Sequence, residues 1–120
     1  MSDQAAAITL YGLRNCDTCR RAWKWLEERD LDYRFHDLRR DGIEADRVQA
    51  WCARLGTDAL VNRGGQTWRR LDPADRERGE VGLRQLLVEE PALIKRPVVE
   101  LPDGDLVVGW NDSVRARISG

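Results

Sequence analysis

The chain has 120 residues, 42% apolar and 34% charged, which is enough for one compact domain with its own core. Twenty basic and twenty-one acidic residues leave a formal net charge of -1, so no overall field draws the chain to nucleic acid or anionic lipid. No apolar run approaches a bilayer-spanning length, and residues 1–7 lack the basic and apolar stretches of a signal peptide, so a cytoplasmic protein with no membrane partner is expected.

Residues 8–12 read as a short strand closed by Gly12. A loop through Arg14 and Asn15 reaches Cys16. Cys19, Ala22, Trp23 and Leu26 then recur at i, i+3, i+4 and i+7, the stripe of an amphipathic helix, with Asn15, Asp17 and Thr18 all candidate caps. A second strand is expected over 32–38, followed by a polar turn to Asp41-Gly42. The next helix runs from about Glu44, with Val48, Trp51, Cys52 and Leu55 inward and Gly56 as its C-terminal cap. Gly64-Gly65 marks a turn, with Trp68 and Leu71 anchoring the segment around it. Asp72-Pro73 reads as an N-cap and first helical residue, with Gly79 ending that helix. Leu83, Leu86 and Leu87 lie on another helix that stops before Pro91. Two apolar runs around Asp103-Gly104 make a hairpin, and Asn111, Asp112 and Ser113 cap a final short helix with Val114 and Ile118. The first strand–helix–strand unit favours a parallel pair, and the hairpin adds antiparallel strands. The expectation is an α/β fold with a mixed sheet of about four strands flanked by helices.

Three cysteines are an odd number and fit a reducing compartment better than a disulfide framework. Two of them form Cys16-Asp17-Thr18-Cys19 at a strand-to-helix junction. A thiol reacts as its thiolate, and the N-terminus of a helix offers unpaired N–H groups and the positive end of a dipole. Cys16 stands where that stabilisation is largest. Arg14, Arg20 and Arg21 add positive charge nearby in sequence, and Asp17 opposes them. Cys19 begins the apolar stripe, one turn on and within disulfide reach, so a nucleophilic first cysteine and a buried second one are expected. Zinc would need two more ligands. Cys52 lies on a helical stripe and reads as core, and His36 in a strand reads as a hydrogen-bonded structural residue, so no metal is assigned.

Arg96-Pro97 is a second constellation. A proline entering a strand lacks a ladder donor, and a cis step there leaves the preceding backbone free to pair with an extended thiol substrate. Arg96 is placed to hold an anion or the thiolate. Of the tryptophans, Trp23 and Trp51 read as core. Trp25, Trp68 and Trp110 are open to lining a groove, with packing the default.

Leu10-Tyr11-Gly12 leading into Asn15-Cys16-Asp17-Thr18-Cys19, then Tyr33-Arg34-Phe35-His36-Asp37, Leu60-Val61-Asn62-Arg63, Thr67-Trp68-Arg69 and Ile94-Lys95-Arg96-Pro97, resemble the ArsC-like family of arsenate reductases and Spx regulators, in particular its YffB-like proteins. The resemblance covers about residues 8–118. It implies a thioredoxin-like fold over 1–120, with a helical insertion at roughly 42–92 between a βαβ and a ββα half. It also implies that Cys16 is the catalytic cysteine, that Arg96 is the arginine beside it, and that Arg96-Pro97 is a cis-proline step. Glutathione-coupled arsenate reductases carry two further oxyanion-binding arginines. Here Asn62, with Arg63 adjacent, stands near one position, and Gly109-Trp110 stands near the other.

The resemblance therefore suits a glutathione-dependent thiol–disulfide oxidoreductase better than an arsenate reductase. Its catalytic residues would be Cys16, Cys19 and Arg96, and its substrate- or glutathione-binding residues Asn15, Arg63, Arg96, Pro97 and Trp110. Glutathione would be a co-substrate, no cofactor would be bound, and glutaredoxin or another protein would be a partner of an otherwise monomeric chain. The CxxC pair also resembles that of Spx, a redox switch that binds RNA polymerase, which makes a docking regulator the alternative.

Overall fold

The computed structural model describes residues 7–119. They divide into two compact units. One contains residues 7–37 and 96–119, and the other contains residues 38–95.

The first unit holds the sheet. Strand β1 (Ile8–Gly12) leads to helix α1 (Asp17–Glu28) and strand β2 (Tyr33–Asp37). Strands β3 (Val98–Glu100) and β4 (Leu106–Val108) and helix α8 (Asp112–Ser119) complete it. The strand order is β2-β1-β3-β4. β1 runs parallel to β2, with Ile8 opposite Tyr33 and Gly12 opposite Asp37. It runs antiparallel to β3, with Leu10 opposite Val99, and β3 pairs antiparallel with β4. This is the expected mixed four-strand, thioredoxin-like sheet, and the Arg96–Pro97 peptide is cis.

Period two in β1 and 3.6 in α1 bring one face of each together. Ile8, Leu10, Ala22, Leu26, Val99 and Leu101 form the buried cluster, with Trp25, Leu31, Tyr33, Phe35, Val107, Trp110 and Ile118 packed against it. A fully buried leucine such as Leu10 or Leu26 contributes about 1.5–3 kcal/mol by leaving water. That packing anchors the start of α1 against the end of β1. Asn111 caps α8 by accepting from the Val114 amide at 2.9 Å.

The second unit is helical. It contains α2 (Leu38–Asp41), α3 (Ala45–Leu55), α4 (Thr57–Leu60), α5 (Gln66–Arg69), α6 (Pro73–Arg76), α7 (Gly79–Glu89) and a 3₁₀ turn at Pro91–Leu93. Val48, Trp51, Cys52, Leu60, Val61, Leu83, Leu86, Leu87, Leu93 and Ile94 are buried. Three details differ from the sequence reading. Residues 38–41 form a helical turn instead of a polar loop. Residues 57–69, which carry no clear period, contain two one-turn helices and an isolated bridge between Val61 and Ile94. Gly79 starts α7 instead of ending α6, which stops at Arg76 with Glu77 as its C-cap, and its φ of 84° suits the break between the two helices. Among the described residues, no helix is long and apolar enough to cross a membrane.

Candidate active site

The site forms where β1 turns into α1. The Cys16 amide donates to the Leu13 carbonyl at 3.2 Å, which closes a tight turn and sets Cys16 as the N-cap of α1. Its backbone is extended, with φ -103° and ψ 121°, while its carbonyl accepts from the Arg20 amide at 3.0 Å. Cys16 is half-buried and Cys19 is buried, both as free thiols. This is the division expected from the apolar stripe.

Burial alone raises the Cys16 pKa, but four influences outweigh it and the net shift is downward. They are hydrogen bonds from the Cys19 amide, the Cys19 thiol and the Arg96 guanidinium, and the positive charge of Arg96. The Cys19 thiol is pushed up to about 12, first by burial, while a hydrogen bond from the Leu13 amide works the other way. The negative charge of Cys16 and the hydrogen bond Cys19 gives it raise Cys19 further, and the charge of Arg96 lowers it. Ionisation is therefore favoured at Cys16 and opposed at Cys19, whose thiol donates to it.

The arginines near Cys16 in sequence do other work. Arg20 pairs with Asp17 and donates to the Arg14 carbonyl. Arg14 lies 3.8 Å from Asp37 and over the Phe35 ring at 5.4 Å. The cation that acts on the thiols comes from Arg96, 80 residues downstream, so the expected help from Arg14 and Arg20 is replaced by a long-range contact. Arg96 is half-buried and leads into the fully buried Pro97, whose carbonyl accepts from the Gly109 amide at 2.8 Å.

The remaining candidates sit as follows. Asn15 is exposed beside Cys16. The Trp110 ring packs edge-on to Trp25 at 5.5 Å, with Arg115 over it at 5.6 Å, which places it in the packing of α1 and α8 against the sheet. Arg63 belongs to the helical unit, where it pairs with Asp58 at 3.0 Å and covers the Trp68 ring at 5.2 Å. His36 lies in β2 with its ring 5.0 Å from Tyr11, and Cys52 is buried on α3. Trp23 meets Phe35 edge-on at 4.9 Å, and Trp51 is buried. Among the described residues, no group of three or more His, Cys, Asp or Glu could hold a metal ion.

Two positions escaped the sequence reading. The Leu13 amide serves the Cys19 sulfur, and Gly12 borders it. A backbone donor has no signature in a sequence. The only available signal for Gly12 was a glycine ending a strand seven residues before Cys19.

A βαβ unit, a ββα unit and a CxxC pair at the start of α1 with a cis-proline strand define a thioredoxin-like domain. Residues 11–118 match the ArsC family model, and the chain belongs to the ArsC family. It is 36% identical to the solved YFFB protein, over 95% of this chain and 100% of that one, with a TM-score of 0.88. It is 35% identical to an arsenate reductase related protein from Brucella melitensis, over 92% of each chain, with a TM-score of 0.74. A Haemophilus influenzae protein of uncharacterised function is 38% identical over 88% of this chain and 92% of its own. The global transcriptional regulator Spx of Streptococcus pyogenes is 25% identical, over 93% of this chain and 85% of its own.

Proposed function

We propose that the protein is a thiol–disulfide oxidoreductase that works with glutathione, with Cys16 as the attacking thiolate. The observation that carries this reading is the half-buried Cys16 at the helix start, its anion favoured by the Cys19 amide, the Cys19 thiol and Arg96. Such a sulfur carries more thiolate than a free cysteine at the same pH and is open enough for a small disulfide to reach. The thiolate attacks one sulfur of oxidised glutathione, the S–S bond breaks, and the electron pair leaves with the other half as a thiolate. The mixed disulfide is then resolved by Cys19 or by a second glutathione. Exposed Asn15, next to Cys16 in the chain, and the backbone before Pro97, which carries the Arg96 side chain that reaches the sulfur, are proposed to seat the glutathione peptide. Arg96 steadies the thiolate before attack.

Stopped-flow alkylation of Cys16 across pH, with mass detection of the glutathione adduct, tests the reading. The expected result is a thiolate titration below that of free cysteine and a single adduct on Cys16. A titration at the free-cysteine position with no adduct would overturn it.

A second reading is a redox switch that docks on a protein, as the resemblance to Spx suggests. The hydrogen bond between the two thiols favours it, because that contact lets the pair close on itself. Turnover separates the two readings. An enzyme consumes many equivalents of oxidised glutathione when reductant is supplied, whereas a switch closes once per reduction.

A further inference from the structure

Gly12 ends β1 in regular register with Asp37, and its φ is not positive, so its backbone does not require glycine. The requirement lies in what occupies the space beside it. A Cβ built on Gly12 would stand 2.3 Å from the Cys19 Sγ, 3.3 Å from the Cys19 Cβ and 3.5 Å from the Phe35 Cε1. Non-bonded heavy atoms settle at about 3.5–4.0 Å, so the sulfur occupies the place where any other residue would carry its first carbon. Two features of one short segment thus border the Cys19 sulfur: the space left by Gly12 for want of a Cβ and the donating amide of Leu13.

We infer that Gly12 is a positioning residue that holds the Cys19 sulfur against Cys16 and so decides whether the two cysteines act as a dithiol pair. This deepens the oxidoreductase reading and rests on its assignment of Cys16. The Cys19 sulfur is the tip of a side chain with one torsion. An alanine at position 12 is accommodated chiefly by turning that torsion, which takes the sulfur away from its partner, with a few tenths of an ångström of give at the Cys19 Cβ.

The chemical consequence is specific. In the intact protein, Cys16 takes one glutathione from oxidised glutathione and releases the other as a thiolate. Cys19 then gives its proton to solvent, attacks the Cys16 sulfur and expels the second glutathione. Two electrons pass from the dithiol to the glutathione disulfide, leaving a Cys16–Cys19 disulfide and two reduced glutathiones. With the Cys19 sulfur turned away, the first step proceeds and the second does not. The chain then stops as the mixed disulfide until another glutathione attacks it.

The test uses the full chain carrying Cys52→Ala, to remove the third thiol. It is mixed with oxidised glutathione, quenched in acid and read by mass. The expected result is that G12A accumulates the mixed disulfide and closes the internal disulfide at least about tenfold more slowly than its parent. In the Cys19→Ala background, G12A should change neither the adduct yield nor the Cys16 alkylation rate, because the colliding sulfur is gone. Closure of G12A at the parent rate, or an equal effect of G12A with and without Cys19, would overturn the inference.

If G12A fails to fold, the same double variant decides. Recovery of folding in G12A/C19A supports a collision with the sulfur, and equal failure of both refutes it. If the parent itself ignores oxidised glutathione, the functional reading falls separately. Diamide, which takes two electrons and two protons from a dithiol, then reads the closure rates of the parent and G12A without glutathione.

Discussion

At the scale of single residues, the site comes down to where one negative charge rests. Burial opposes the Cys16 anion, and hydrogen bonds from Cys19 and Arg96 together with the Arg96 charge reverse that penalty. Arg96→Met keeps the bulk and removes both the hydrogen bond and the charge. The Cys16 titration should move upward, so the thiolate persists only at higher pH and is lost sooner as pH falls. At neutral pH, alkylation of Cys16 should slow by roughly tenfold, about 1.4 kcal/mol, at the low end for a charged hydrogen bond because the site is partly exposed. Equal pH profiles for the variant and the parent would show that Arg96 does not act on the sulfur. The placement of Cys16 at the helix start and the burial of Cys19 were legible in the sequence because a CxxC at a helix start fixes both through local geometry. Arg96 was legible too, from the Arg-Pro step and the family resemblance, whereas the diversion of Arg14 and Arg20 to other partners was not. Sequence proximity says which charges are near in the chain, while the pairings with Asp37 and Asp17 that occupy Arg14 and Arg20 exist only in the fold.

At the scale of elements, α1 carries its own stop signal. The Asp30 amide donates to the Glu27 carbonyl at 3.1 Å and the Leu31 amide to the Leu26 carbonyl at 3.1 Å, while Asp30 takes φ 55°. These are the two bonds of a Schellman motif, with an aspartate where glycine or asparagine is usual. Leu31 supplies the matching apolar contact by packing on the cluster that contains Leu26. Asp30→Gly relieves the left-handed backbone and should raise stability by about 0.5–1 kcal/mol, offset in part by the freer unfolded chain. Urea unfolding checks this, and a lower midpoint for D30G would refute it. Regular elements such as β1, α1, α3 and α7 were readable because apolar residues repeat along them. The one-turn helices α4 and α5 were not, since four residues are too few to show a period and their placement depends on contacts such as the Val61–Ile94 bridge.

At the scale of the molecule, eighteen arginines are balanced by twenty-one acidic residues to a net charge of -1, and several guanidinium groups are paired locally. Arg14 meets Asp37, Arg20 meets Asp17, and Arg63 meets Asp58. Arg78 bridges Asp75 and Glu89, Arg115 meets Asp112, and Arg117 spans Asp103 and Asp105. Such exposed pairs stabilise the fold by about 0–1 kcal/mol each, but they also cancel the field that an arginine-rich chain would otherwise present. At the thiols, the cation that acts is Arg96. A doubly charged oxyanion is strongly hydrated and needs several convergent guanidinium groups to leave water, whereas a disulfide brings no charge to the reacting sulfur. Arsenate should therefore compete poorly for this site. Millimolar arsenate is expected to leave the Cys16 alkylation rate within about twofold of its value without the anion, because one partly exposed guanidinium repays little of the desolvation. The same preparation should form the glutathione adduct readily. Saturable protection of Cys16 at micromolar arsenate, with arsenite appearing when glutathione is added, would show instead that the unit around Cys16 gathers more positive charge than these pairings leave free.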